Sequence, residues 1–98
     1  MARKLEYLEQ ALIEAEAAAQ WYRKRSPTAA TRFSGELDEA EAAILEHPEA
    51  WPIGEQGTRR YFLRHFPFAV IYRVEESRLL IVAVAHARRR PGYWAHRA

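Results

Sequence analysis

No cysteine occurs among the 98 residues, so neither a disulfide framework nor a thiolate zinc site can hold the chain, and packing alone must do so. That usage suits a reducing cytoplasm. Lysine is scarce as well: only Lys4 and Lys24 are present, and every cation after residue 58 is arginine. No hydrophobic run approaches the length of a bilayer span, so a membrane partner is not expected. The start, MARKLEYLEQ, has basic residues with no apolar stretch behind them, which argues against a secretory leader. A glycine-rich phosphate loop, a nucleophile elbow and a dinucleotide fingerprint are all missing. No cofactor or metal is expected, because His47, His65, His86 and His96 show no ligand-like pairing with carboxylates.

What is present is 49% hydrophobic and 29% charged, enough for one small domain over residues 1–98 and too little for a multidomain enzyme. The net charge of +2 hides an uneven distribution. Residues 1–58 hold six Lys/Arg against eleven Asp/Glu, whereas residues 59–98 hold nine Arg against Glu75 and Glu76. Arginine's planar fork suits phosphate, carboxylate and aromatic rings, so an anionic partner is one reading of the second half. Attraction between acidic helices and a basic sheet edge inside one domain is the other.

Residues 4–8, Lys-Leu-Glu-Tyr-Leu, alternate as a short strand does. From Glu9 to Arg25 the stripe Leu8, Leu12, Ala15, Ala19, Tyr22, with Ala11 and Ala18 beside it, has amphipathic helical spacing. Ser26-Pro27 reads as an N-cap followed by proline at the first helical position. The second helix places Ala30, Phe33, Leu37, Ala40 and Ile44 on one face, with Glu36, Asp38, Glu39 and Glu41 as solvated carboxylates around the other. It stops at His47-Pro48. Residues 48–58 form a loop that Trp51 pins to the core. Three β-rich runs follow, RRYFLR, FAVIYRV and RLLIVAVAH, as an antiparallel meander. The expected fold is α+β, ordered β-α-α-β-β-β, with a helical hairpin packed on a small antiparallel sheet.

The strands are apolar on both faces. In the middle run Phe68, Val70, Tyr72 and Val74 alternate with Ala69, Ile71 and Arg73; in the last, Leu79, Ile81, Ala83 and Ala85 alternate with Leu80, Val82, Val84 and His86. Two helices cover only one face. The other needs the tail at Tyr93 and Trp94, a second copy of the chain, or a dedicated partner. So short a tail is expected to be too little, which makes a companion chain the expectation.

The densest chemistry is the segment from Ala85 to Trp94, AHARRRPGYW, where Arg88, Arg89 and Arg90 adjoin Tyr93 and Trp94. Cations can neutralise phosphates and rings can stack on bases, and Arg64 and Arg73 would add a basic floor beneath the segment. A solvated basic surface is the plainer reading. His86 suits general acid or base work beside a scissile phosphate, or else a structural hydrogen bond at a strand end.

Taken in order, Ala19-Gln20-Trp21-Tyr22 with Ser26-Pro27, His47-Pro48 with Trp51-Pro52, Phe66-Pro67-Phe68 through Val74, and the Ala85–Trp94 segment resemble the RelE/ParE superfamily of type II toxin-antitoxin toxins, which includes the plasmid stabilisation proteins. The likeness spans nearly the whole chain. It implies the same strand, hairpin and meander, growth inhibition by the free toxin, and a cognate antitoxin that wraps it in a hetero-oligomer. Two mechanisms are implied by the two branches. RelE-like members cleave messenger RNA on the ribosome with basic side chains and a C-terminal Tyr; ParE-like members inhibit DNA gyrase. Here Arg89 or Arg90 and Tyr93 fall near the nuclease's C-terminal pair, but Ala69 lies where its mid-sheet Arg would be and the meander has no lysine. The resemblance therefore leans to the ParE-like side, with Arg64, Arg73, Arg88, Arg89, Arg90, Tyr93 and Trp94 engaging the target. In the nuclease alternative, Arg73 and Arg89 would hold the phosphate while His86 or Tyr93 moved protons. A non-toxic interaction module is the third reading.

Overall fold

The computed structural model describes residues 3–97. Its elements are β1 (Lys4–Tyr7), α1 (Glu9–Arg25), α2 (Pro27–Glu46), a short 3-10 turn (Glu55–Gly57), β2 (Arg59–Phe62), β3 (Phe68–Val74) and β4 (Arg78–His86). The α+β order is the one expected. The sheet runs β1-β4-β3-β2, with β2, β3 and β4 antiparallel. β1, however, lies parallel to β4, so the sheet is mixed rather than wholly antiparallel. The helical hairpin explains this: it carries the chain from one sheet edge to the other, and the meander returns β4 beside β1 in the same direction.

Ser26 caps α2 by accepting a hydrogen bond at Oγ from the Ala29 amide at 3.2 Å, and Pro27 follows at the first helical turn. The α1 stripe is rotated from the expected one. Ala11, Ala15 and Ala18 are buried, whereas Leu12 is 45% exposed. Side chains that end at Cβ let α1 lie close on β4, and leucine at that distance would not fit. At the other end Tyr22, Phe33, Phe66 and Phe68 form an aromatic cluster with centroids 4.9 to 6.5 Å apart, which fastens both helices to the β2–β3 corner. Trp51 packs edge-on against Tyr61 at 5.0 Å, and Tyr72, fully buried, donates from its hydroxyl to the Pro48 carbonyl at 2.7 Å, so the loop after α2 is pinned as expected.

Glu36 departs from its expected place on a solvated helix face. It is only 7% exposed and accepts from the Arg64 and His65 amides at 3.0 and 3.1 Å and from the His65 ring at 2.5 Å. The β2–β3 turn has amides with no ladder partner, and this carboxylate supplies one. His65 is thus paired with a carboxylate after all, as a hydrogen-bond partner. Glu41 also has a task, accepting from the Tyr7 hydroxyl at 2.5 Å.

The strict alternation read along β4 fails in its middle. Tyr72 faces Ile81 and Ile71 faces Ala83, which leaves Val82 as the extra residue of a β-bulge. Past the bulge the faces exchange. Val84 joins Leu79 and Ile81 beneath the helices, whereas Leu80, Val82 and Ala83 share the second face with Ala69 and Ile71. His86 consequently stands beside Phe68, its ring edge-on at 4.9 Å.

That second face is covered by the chain itself. Trp94 is 2% exposed and packs on Ala69, Ile71, Leu80, Val82 and Ala83, with Tyr93, Ala95 and Leu8 around it. The expectation of a companion chain sheltering this face is therefore corrected: one indole, folded back by the turn at Pro91-Gly92, suffices. Among the described residues the large apolar side chains left exposed are Leu12, Ile13, Trp21, Leu45 and Ile53, together with Phe62 at the β2 edge of this face. Among the described residues no helix is long and apolar enough to cross a membrane.

Candidate target-binding surface

The tail after β4 is built by consecutive turns. The Ala87 amide donates to Pro67 O, Arg89 N to His86 O, Tyr93 N to Arg90 O, Ala95 N to Gly92 O and Arg97 N to Trp94 O. Gly92 sits at φ +73, a left-handed conformation that favours glycine at the point where the chain reverses, and the Glu55 carboxylate lies beside it.

A carboxylate that the sequence reading passed over holds the tail down. Glu14 reaches from α1 to accept from the Tyr93 hydroxyl at 2.7 Å, from the Arg97 terminal nitrogens Nη1 and Nη2 at 3.1 and 2.9 Å, and from the Val84 amide at 2.9 Å. Arg97 also donates to Val82 O at 3.1 Å. β1 is only four residues long and its pairing ends at Ile81, so the next stretch of the β4 edge has no strand beside it. Glu14 and Arg97 take up one donor and one acceptor there in place of a strand. Arg89 adds its guanidinium 3.8 Å over the Tyr93 ring and 3.9 Å from Glu14. A signal for Glu14 existed: it shares the helical face of the buried alanines. Arg97, four residues beyond Tyr93, carried none.

The electrostatics follow from these contacts. Burial disfavours the Glu14 carboxylate, but the hydrogen bonds from Arg97, Tyr93 and Val84 outweigh it and hold the group below its ordinary 4.5. Burial and the Glu14 acceptor together push the Tyr93 phenol well above its usual range. Glu36 is lowered similarly: burial opposes ionisation, and the His65 and Arg64 donors prevail. A carboxylate with a lowered folded pKa binds fewer protons folded than unfolded, so its stabilisation is complete above about 4.5 and is lost as pH falls through the folded value. Urea titrations are expected to show a midpoint that falls between neutrality and about pH 3, less steeply in Glu36→Gln. A midpoint flat across that range would contradict both assignments.

The expected site residues do not all meet. Arg88, Arg89 and Arg90 are exposed on the tail turn beside Tyr93, with Trp94 buried beneath. Arg73 is five residues along β3 from Phe68, the partner of His86, which puts it roughly 17 Å from the tail end of the sheet. Its guanidinium is 3.9 Å from the Glu75 carboxylate. Arg64 lies at the β2–β3 turn against α2, 3.8 Å from Glu39. Neither forms a floor under the Arg88–Arg90 turn. His86 accepts at Nδ1 from the Arg88 amide at 3.0 Å, so in its neutral form Nε2 carries the proton and is a donor rather than a base. Among the described residues no His/Asp/Glu cluster could hold a metal ion.

The profile of the family described as ParE toxin of type II toxin-antitoxin system, parDE, matches residues 5–91. The chain belongs to the ParE toxin family. Within the wider RelE/ParE likeness it is thus on the ParE side, a type II toxin. A solved structure, described as the chromosomal ParDE TA system from P. aeruginosa, superposes with a TM-score of 0.75 at 19% identity, over 89% of this chain and 98% of that one. At that identity the likeness concerns fold. No curated protein matches the chain.

Proposed function

We propose that this ParE-family chain arrests growth in the cytoplasm by binding DNA gyrase, without cleaving RNA, and that a cognate antitoxin silences it in a hetero-oligomer. The observation that carries the reading is the dispersal of the nuclease set. Arg73 is far from Arg89, the Tyr93 hydroxyl is committed to Glu14 with its pKa raised, and His86 has its acceptor nitrogen occupied. Neither His86 nor Tyr93 is left poised to take a ribose proton. What remains at the surface is suited to contact: the Arg88–Arg90 turn, and an apolar groove of about 550 Å³ between α1 and the ends of β3 and β4, with Trp21 at its rim. Such arginine and aromatic surfaces are typical of protein interfaces. The solved ParDE neighbour adds support for an antitoxin partner.

Induced expression without antitoxin is expected to stop growth, and the purified chain to inhibit supercoiling while leaving ribosome-bound messenger RNA intact. His86 separates binding from cleavage. Replacing it with Ala removes the acceptor for one amide and is expected to weaken inhibition by about tenfold or less, whereas His86→Asn, which keeps an acceptor, should retain it. A loss of about a hundredfold or more in both variants, with cut messenger RNA, would establish the ribosome-dependent nuclease instead.

A further inference from the structure

Beside the tail, on the second face of the sheet, is a slot that Arg89, Arg90, Tyr93 and Trp94 share with β2 residues outside the target-binding set named above. The strand register puts Phe62, Ala69 and Ala85 in one row across β2, β3 and β4. The two alanines end at Cβ and leave a hollow; Phe62 stands at one end of the row, 67% exposed, and Pro91 and Trp94 of the tail bound it on the opposite side. The hollow is about 210 Å³. An apolar cavity of about 150 Å³ takes a benzene ring, so one aromatic or aliphatic side chain fits. Ala69, 7% exposed, is the floor.

The surroundings define what would enter. Arg60, Arg89 and Arg90 line the slot, outnumbering the Glu55 carboxylate that lies against Gly92 at its margin. Arg60, Arg88 and Arg90 have no ion-pair partner among the described residues. Apolar surface continues past Phe62 through Pro52 to Ile53, which is 63% exposed. A large exposed ring, neighbouring aliphatic surface and unpaired arginines around a one-residue pocket are the make-up of a protein hot spot. A nucleic-acid strand would want a continuous track of cations for its phosphates. The arginines here break off, with Arg73 at the far end of β3 and Arg64 against α2.

We propose that the β2 face and the tail form a docking surface for an acidic protein segment that inserts one apolar side chain between Phe62 and Trp94, with Arg60 and Arg90 meeting its carboxylates. This rests on the binding mode proposed above and adds the chemistry of what is bound. Phe62 and Arg60 are exposed, so substituting them should leave the fold intact, as an unchanged urea midpoint would verify.

The test has two arms. On induction, Phe62→Ala and Arg60→Glu are expected to need at least about tenfold more protein for growth arrest, Arg60→Lys to lie between, and Ile13→Ala, exposed on the opposite helix, to match the parent. In amide NMR titrations of the isolated chain, a synthetic peptide with one Phe between Asp residues is expected to shift the signals of Phe62, Ala69, Ala85 and Arg90, and the same peptide with Lys in place of Asp to shift none. Undiminished arrest by both Phe62→Ala and Arg60→Glu overturns the proposal. So does a labelled single-stranded oligonucleotide that shifts the same signals when the acidic peptide does not, which would assign the slot to nucleic acid. If the parent stops growth but spares gyrase, the proposed target falls, and the docking surface is still decided by the variants and the peptides.

Discussion

Replacing Trp94 with Ala is expected to cost about 3–5 kcal/mol, read as a fall in the urea midpoint, and to turn a dye-negative chain dye-positive. The side chain removed is the buried ring that packs with Ile71, Leu80 and Val82, each at most 2% exposed. With a total stability of about 5–15 kcal/mol for a domain of this size, the variant would be marginal. Trp94→Phe should recover part of the loss, since a smaller ring still covers part of the face. Unchanged stability and dye response in Trp94→Ala would mean that the tail does not seal the sheet, and the need for a companion chain would return.

The second large effect is at the carboxylate that ties the tail to α1. Glu14→Ala leaves the Arg97 guanidinium, 9% exposed, without its anion and strands the Val84 amide and Tyr93 hydroxyl. Breaking one partner of a buried pair costs about 3–5 kcal/mol. Glu14→Gln, which keeps an acceptor without the charge, is expected to lose less. The double variant Glu14→Leu/Arg97→Leu should regain most of the loss, because no uncompensated charge remains, but not all of it, because the Val84 amide and Val82 carbonyl lose their partners. Additive losses in a cycle of single and double variants would show that the two side chains act independently, contrary to their 2.9 Å contact.

These two residues also mark where sequence reading stopped. Trp94 was visible as a candidate cover, but whether a short tail could reach the second face depended on a reversal at Gly92 and on which residues the bulge at Val82 turns to that face. Glu14 looked like one acid among many on α1. Its importance comes from β1 ending at Tyr7, which leaves β4 with an amide and a carbonyl to satisfy. Glu36 was misplaced for the same reason: its acceptors serve amides 28 and 29 residues away.

By itself the sequence determined the order of elements, the Ser26-Pro27 start and His47-Pro48 stop of α2, the extents of β3 and β4, and the clustering of Arg88, Arg89 and Arg90 with two rings. Periodicity, caps and turn residues act over a few neighbours, so they are legible in a linear string. Tertiary structure alone decided that β1 runs parallel to β4, that the sheet is sealed from within, that Arg64 and Arg73 stand apart from the tail, and that Phe62 and two alanines enclose a slot. Each of those depends on register and on which polar groups are left without partners once distant strands have paired, quantities that exist only after the chain has closed on itself.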